Sequence, residues 1–142
     1  MKKVLLPVIA ALLLGCESGS RITLYSARPY PPKSVIAERV EGSSPFKVRM
    51  YLTPEEPRAE QDVKFEFTVL ETGVLVRDAQ VHVSLVMPLM DMGKNEFDAA
   101  ARPPGVYEGS AKFTMGDEWE VIVTVTKGKK KGKHIFNLRV QE

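Results

Sequence analysis

The sequence contains little of the material from which most enzyme sites are built. It has one cysteine and two histidines in 142 residues, which excludes an internal disulfide framework and a cysteine-rich metal site. Its only long uncharged apolar run is Val4–Leu14, which is too short to span a bilayer of ~30 Å. We therefore expect a protein that is not an enzyme and that has no transmembrane helix.

The remaining composition is that of a folded domain. Hydrophobic residues make up 44% of the chain and charged residues 27%, so it is neither disordered nor collagen-like. The length corresponds to about one domain of 100–150 residues.

The amino terminus carries a targeting signal. Lys2 and Lys3 precede the apolar run, and Gly15 and Cys16 follow it, which is the order of a secretory signal peptide. The stretch Leu13–Cys16 resembles the bacterial lipobox, in which the peptide is cut before the cysteine and the cysteine is lipidated. The resemblance implies lipidation of Cys16 with several acyl chains, palmitate among them, which anchor a protein stably. An ordinary signal peptide with an unmodified cysteine is the alternative.

Removal of residues 1–15 changes the charge and the expected partners. Loss of Lys2 and Lys3 lowers the basic residues from 20 to 18, which equals the 18 acidic residues. A neutral chain gives no electrostatic reason to expect nucleic-acid binding. Glu17 occupies the position where an inner-membrane retention aspartate lies in Gram-negative lipoproteins. The resemblance therefore implies a lipid anchor in the cell envelope, and the outer membrane facing the periplasm if the source is Gram-negative.

The chain divides into three segments. Residues 1–15 form the predicted signal peptide. Residues 16–45 comprise the cysteine and a segment rich in proline, glycine and serine, a composition typical of a tether. Residues 46–142 form the predicted domain.

From residue 46 onward apolar and polar side chains alternate with a period of two, which is typical of half-buried antiparallel strands. Seven short strands at this spacing predict an all-β, immunoglobulin-like antiparallel β-sandwich, with Trp119 as the largest core side chain. A small closed barrel is the alternative architecture. The predicted strands are Lys47–Leu52, Val63–Val69, Val81–Met87, Asn95–Ala101, Tyr107–Phe113, Trp119–Val125 and His134–Val140.

Because successive antiparallel strands run in opposite directions, the loops between them fall alternately at the two ends of such a sandwich. Met90, Met92 and Met115 fall at one end. The other end receives the tether and a basic hairpin, which is either a solvated loop or a contact with anionic lipid headgroups. The lysines of this hairpin are Lys127, Lys129, Lys130, Lys131 and Lys133.

Two motifs identify a family resemblance. The first is Met87–Gly93, which reads Met-Pro-Leu-Met-Asp-Met-Gly. The second is Phe113–Trp119, which reads Phe-Thr-Met-Gly-Asp-Glu-Trp and follows the Tyr107 strand. Together they resemble the YtkA-like and FixH-like domains. The resemblance implies an immunoglobulin-like sandwich outside the cytoplasm, with an envelope protein or a copper protein as partner, because FixH-like members are associated with the assembly of copper-containing oxidases.

The methionines themselves allow a copper hypothesis. Thioethers are soft ligands that suit Cu(I). Met90 and Met92 are two residues apart and would share one face of an extended turn, Met115 would be the third ligand, and Met87 is expected in the core. Two interpretations stay open: a copper-handling accessory with a Cu(I) site, or a structural or protein-interaction module whose methionines fill irregular space.

Overall fold

The computed structural model describes residues 38–142, so the signal peptide, Cys16 and most of the predicted tether lie outside the described residues. No helix in the described part is long and apolar enough to cross a membrane. The described chain is all-β, which confirms the predicted fold class. Its strands are β1 Glu38–Glu41, β2 Phe46–Thr53, β3 Asp62–Glu71, β4 Val74–Leu75, β5 Gln80–Val86, β6 Glu96–Arg102, β7 Val106–Lys112, β8 Asp117–Lys127 and β9 Lys130–Val140.

The strands form one antiparallel sheet that is curled into two layers. The order is β1-β9-β8-β5-β6-β7-β3-β2, with β4 paired to β3. Strand β6 joins the layers, because its first half pairs with β5 and its second half, Ala100–Arg102, pairs with β7. The path ends at β1 and β2, which do not pair with each other. The described sheet is therefore an open sandwich and not the closed barrel.

The alternation in the sequence places one side of each long strand in the core. In β3, Val63, Phe65, Phe67 and Val69 are fully buried, and the residues between them face outward. Strand β8 repeats the pattern from Trp119 to Val125. Burial of these apolar side chains from both layers in one cluster is the main stabilising contribution to the fold.

Strand β1 corrects the predicted tether. Glu38–Glu41 lies within the segment 16–45, and it pairs with β9 from Glu38↔Phe136 to Glu41↔Lys133. None of the four residues is buried in the core, so the segment has no burial pattern that sequence could reveal. From Glu38 the strand runs toward the hairpin end, where Glu41 lies opposite Lys133.

The pairing register confirms the predicted sorting of the loops. Lys127↔Lys130 closes β8 and β9 at one end, and Asp117↔Val140 lies at the other. We call the loops 87–95 and 113–116 the methionine end. We call the turn 72–79 and the hairpin 127–133 the lysine end.

Candidate functional site at the methionine end

A tight turn after β5 exposes two apolar side chains. Met87 is only 6% exposed, and its carbonyl accepts a hydrogen bond from the Met90 amide at 3.3 Å. This closure places Leu89, which is 95% exposed, and Met90, which is 51% exposed, on the surface. Met87 thus lies in the core, as predicted.

The next residues continue the same loop. The Gly93 amide donates to the Asp91 carboxylate at 3.0 Å, and Gly93 has a φ of 72°, a region that favours glycine. Asp91 therefore stiffens the turn, and Met92, which lies between Asp91 and Gly93, is 37% exposed.

Met115 lies on the turn between β7 and β8. The Trp119 indole N–H donates to the Met115 carbonyl at 3.1 Å, and the Trp119 ring packs edge-on against Phe113 at 5.2 Å between centroids. Trp119 is buried in the core, as predicted. The Met115 backbone is therefore fixed to the core while its side chain stays 38% exposed.

Asn95 connects the two methionine loops. Its carbonyl accepts from the Leu85 amide at 2.8 Å, and its side-chain amide donates to the Lys112 carbonyl at 3.0 Å, at the end of β7. Met90, Met92 and Met115 thus lie on loops at one end of the molecule, and Asn95 ties the first loop to the end of β7, after which the second loop begins.

The donor types at this end are soft. Within residues 38–142, no group of three or more histidine, cysteine, aspartate or glutamate residues is arranged to hold a metal ion. The exposed methionines at this end carry thioethers, which are soft donors that prefer Cu(I) over harder cations.

The lysine end differs because carboxylates compensate most of its cations. Lys130 hydrogen-bonds the Glu71 carboxylate, and Lys127 lies 3.2 Å from Asp78. Lys133 lies 2.5 Å from Glu41 on β1. Of the five lysines predicted to contact headgroups, only Lys129 and Lys131 form no ion pair with a described residue.

These pairs shift the titration of two carboxyl groups. The hydrogen bond from Lys130 holds the pKa of Glu71 below its ordinary value of 4.5. The hydrogen bond from Lys133 does the same for the pKa of Glu41. Both carboxylates therefore remain charged at neutral pH and offset the lysines beside them.

The two histidines have different environments. His82 lies half-exposed on the outer face of β5, where its Nδ1 is 2.8 Å from Asp98. His134 is fully buried, with Nδ1 2.7 Å from the Glu38 carboxylate and Nε2 2.9 Å from the Ser44 hydroxyl. A Ser–His–acid arrangement could not be expected from the sequence, because Glu38 and Ser44 both lie in the predicted tether. The one available signal was the core-facing position of His134 in its strand.

The fold defines a small, all-β sandwich domain without disulfides. The family model described as YtkA-like matches residues 41–124, and the chain belongs to this family. A comparison with curated proteins finds no match.

Among solved structures, this chain is similar to the soluble domain of PmoD from Methylocystis sp. (Rockwell). The sequence identity is 13%, and the likeness covers 71% of this chain and 95% of that domain with a TM-score of 0.46. A likeness of this degree does not bear on function.

Proposed function

We propose that this protein is a non-enzymatic, lipid-anchored binding domain of the cell envelope that handles copper as Cu(I). Met90, Met92 and Met115 would hold the ion, and the ion would be cargo rather than a resident cofactor. Membership of the YtkA-like family supports the proposal through the resemblance to FixH-like domains, which are associated with the assembly of copper-containing oxidases.

The observation that carries the proposal is the exposure of three thioethers at one end. The other two described methionines, Met50 and Met87, are buried in the core, where methionine usually lies. Three exposed methionines on hydrogen-bonded loops offer soft donors to the surroundings, and accessible ligands suit a site that exchanges its ion.

The test is a Cu(I) titration under reducing conditions, in competition with a chromophoric Cu(I) chelator. The variant that carries Met90→Leu, Met92→Leu and Met115→Leu should lose Cu(I) binding and keep its fold. Met87→Leu is the matched control, because it removes a buried thioether from the same segment and should leave the affinity unchanged. Equal affinity in the triple variant and the wild type would refute the copper proposal.

Leu89 supports a second candidate function, a protein-interaction module. Its side chain is almost fully exposed beside Met90, and it has no donor atom for a metal. Exposed apolar clusters mark interaction surfaces more often than isolated apolar residues do. Leu89→Gln should leave Cu(I) affinity unchanged under either proposal. It should abolish capture of an envelope partner under the second proposal, while the triple methionine-to-leucine variant keeps that capture.

The lipid anchor is tested separately. Cys16→Ser should block acylation and move the protein from the membrane to the soluble fraction. Labelling with a palmitate analogue followed by fractionation measures both effects. Retention of the variant in the membrane with unchanged labelling would contradict a lipid anchor at Cys16.

A further inference from the structure

Strand β1 is attached to the domain without taking part in its core. None of its four residues is buried in the core, so its attachment depends on the ladder with β9 and on polar contacts. Two of these contacts are exposed ion pairs, Arg39–Glu120 at 3.2 Å and Glu41–Lys133 at 2.5 Å. Ion pairs of this kind contribute little to stability in water.

The third attachment is buried and different in kind. His134 on β9 reaches back to the amino-terminal segment with both ring nitrogens, to Glu38 at 2.7 Å and to Ser44 at 2.9 Å. The Ser44 hydroxyl also accepts a hydrogen bond from the Phe46 amide at 3.1 Å. Because a carboxylate only accepts, Nδ1–H of His134 donates to Glu38. The Ser44 hydroxyl lies within hydrogen-bond distance of both His134 Nε2 and the Phe46 carbonyl, at 2.9 and 3.3 Å.

Gly132 makes the approach of Ser44 possible. A Cβ atom at this position would lie 2.0 Å from the Ser44 hydroxyl oxygen and 3.2 Å from His134 Nε2. The missing side chain therefore forms the niche into which the Ser44 hydroxyl fits. Gly132, Ser44 and His134 act as one unit, although Ser44 lies 90 residues from His134 in the sequence.

The arrangement has the distances of a hydrolytic Ser–His–acid triad without its accessibility. A catalytic histidine must exchange a proton with the substrate, but His134 has no exposed surface. The Ser44 hydroxyl lies against Gly132 and is bonded to the Phe46 backbone. These contacts suit a structural fastening.

We propose that Glu38, Ser44 and His134 form a latch that holds β1 on the edge of β9 as a detachable strap. With the latch closed, β1 is an edge strand of the sandwich. With the latch open, the sandwich begins at Phe46 and residues 38–45 join the chain upstream. Eight extended residues add about 26 Å of reach. The latch rests on the described residues alone and does not depend on the copper site or the lipid anchor.

Hydrogen exchange of the full chain at neutral pH tests the latch. Glu38→Ala, Ser44→Ala and Gly132→Ala each remove or displace a different partner of His134 and leave His134 itself unchanged. We expect each to speed exchange in residues 38–45 by about tenfold, because opening of β1 then costs less. Exchange in the core of β8 should not change. Glu120→Gln is the matched control, since it removes the exposed ion pair of Arg39 from the same strand, and it should change exchange in β1 by less than about twofold.

Trypsin cleavage after Arg39 gives a second readout, because β1 must detach before a protease can bind it. Glu38→Ala should be cut faster than the wild type, and Glu120→Gln should be cut at the wild-type rate. Two results would overturn the latch. One is equal exchange of β1 in all variants, and the other is loss of β1 protection only together with that of β8. Labelling of Ser44 by a fluorophosphonate probe would also overturn it, in favour of a reactive serine.

Discussion

The two ends of the sandwich are built alike inside and differ outside. At each end the polar atom of a buried aromatic side chain fixes a loop. Trp119 binds the Met115 carbonyl at the methionine end, and the Tyr107 hydroxyl binds Val76 and Ala79 at the lysine end. On the surface, the lysine end pairs most of its charges, whereas the methionine end leaves apolar side chains uncovered. The larger group of exposed apolar side chains therefore lies at the methionine end, where Leu89, Met90, Met92 and Met115 are exposed.

The largest expected effect is on the aromatic support of the methionine end. Trp119→Ala should lower the free energy of unfolding by roughly 3–5 kcal/mol, because it empties a fully buried site. Urea denaturation measures the change. Trp119→Phe is the control, since it keeps most of the packing and removes only the hydrogen bond to Met115. A loss below about 1 kcal/mol for Trp119→Ala would show that this ring does not support the core.

The corresponding change at the lysine end should cost less. Tyr107→Phe keeps the ring and leaves the Val76 carbonyl and the Ala79 amide without their partner. The expected loss is about 1–3 kcal/mol, the cost of buried polar groups that are left unsatisfied. Exchange of the Ala79 amide should accelerate along with the loss of stability. Unchanged stability would mean that water replaces the hydroxyl and that the two ends are not built alike.

Binding to vesicles tests whether lysines that form ion pairs contribute to the affinity for anionic membranes. In a form without the lipid, Lys129→Gln with Lys131→Gln should weaken binding to anionic vesicles by up to about 1 kcal/mol per lysine. Glu71→Gln with Lys130→Gln leaves the net charge unchanged and serves as the matched control, with little effect expected. If both double variants bind as well as the wild type at low salt, the hairpin is a solvated loop without affinity for headgroups.

The smallest expected effect is the loss of stability at acidic pH. The pKa values of Glu71 and Glu41 are lowered in the fold by Lys130 and Lys133. Their stabilising contribution is therefore present above 4.5, the ordinary value, and is lost as the pH falls through the lowered folded values. The contribution should be modest because the pairs are exposed. An NMR titration of the two side-chain carboxyls should give midpoints below 4.5, and Lys130→Gln should raise the midpoint of Glu71. A midpoint at 4.5 or above in the wild type would contradict the pairing.

The long strands could be predicted because burial leaves a record in the sequence. The alternation through Val63–Val69 or Val121–Val125 follows directly from one face of a strand meeting the core. The same parity argument placed Met90 and Lys130 at opposite ends, since the direction of each strand reverses at every loop.

The features that could not be predicted leave no pattern of buried and exposed residues in the sequence. Strand β1 is held by backbone pairing and polar contacts, so its side chains, Glu-Arg-Val-Glu, read as part of a tether. The contact of His134 with Glu38 and Ser44 joins positions 96 and 90 residues apart, and it exists only because β1 pairs with β9. Ion pairs such as Lys133–Glu41 depend on the same pairing.

Strand β6 determines which side of the sandwich can open, because it belongs to both layers. Because β6 pairs first with β5 and then with β7 without a break, it connects the two layers covalently and through hydrogen bonds. The layers could separate on this side only if the backbone hydrogen bonds of β6 to one of these strands broke. The ring of Phe97 on β6 packs against Gly109, where a Cβ atom would lie only 2.2 Å from the nearest ring atom. Side-chain packing therefore adds to the hydrogen bonds on this side. The opposite side of the sandwich lies at β1 and β2, which are not paired with each other in the described sheet. Slow breathing of the sandwich should therefore open at that side.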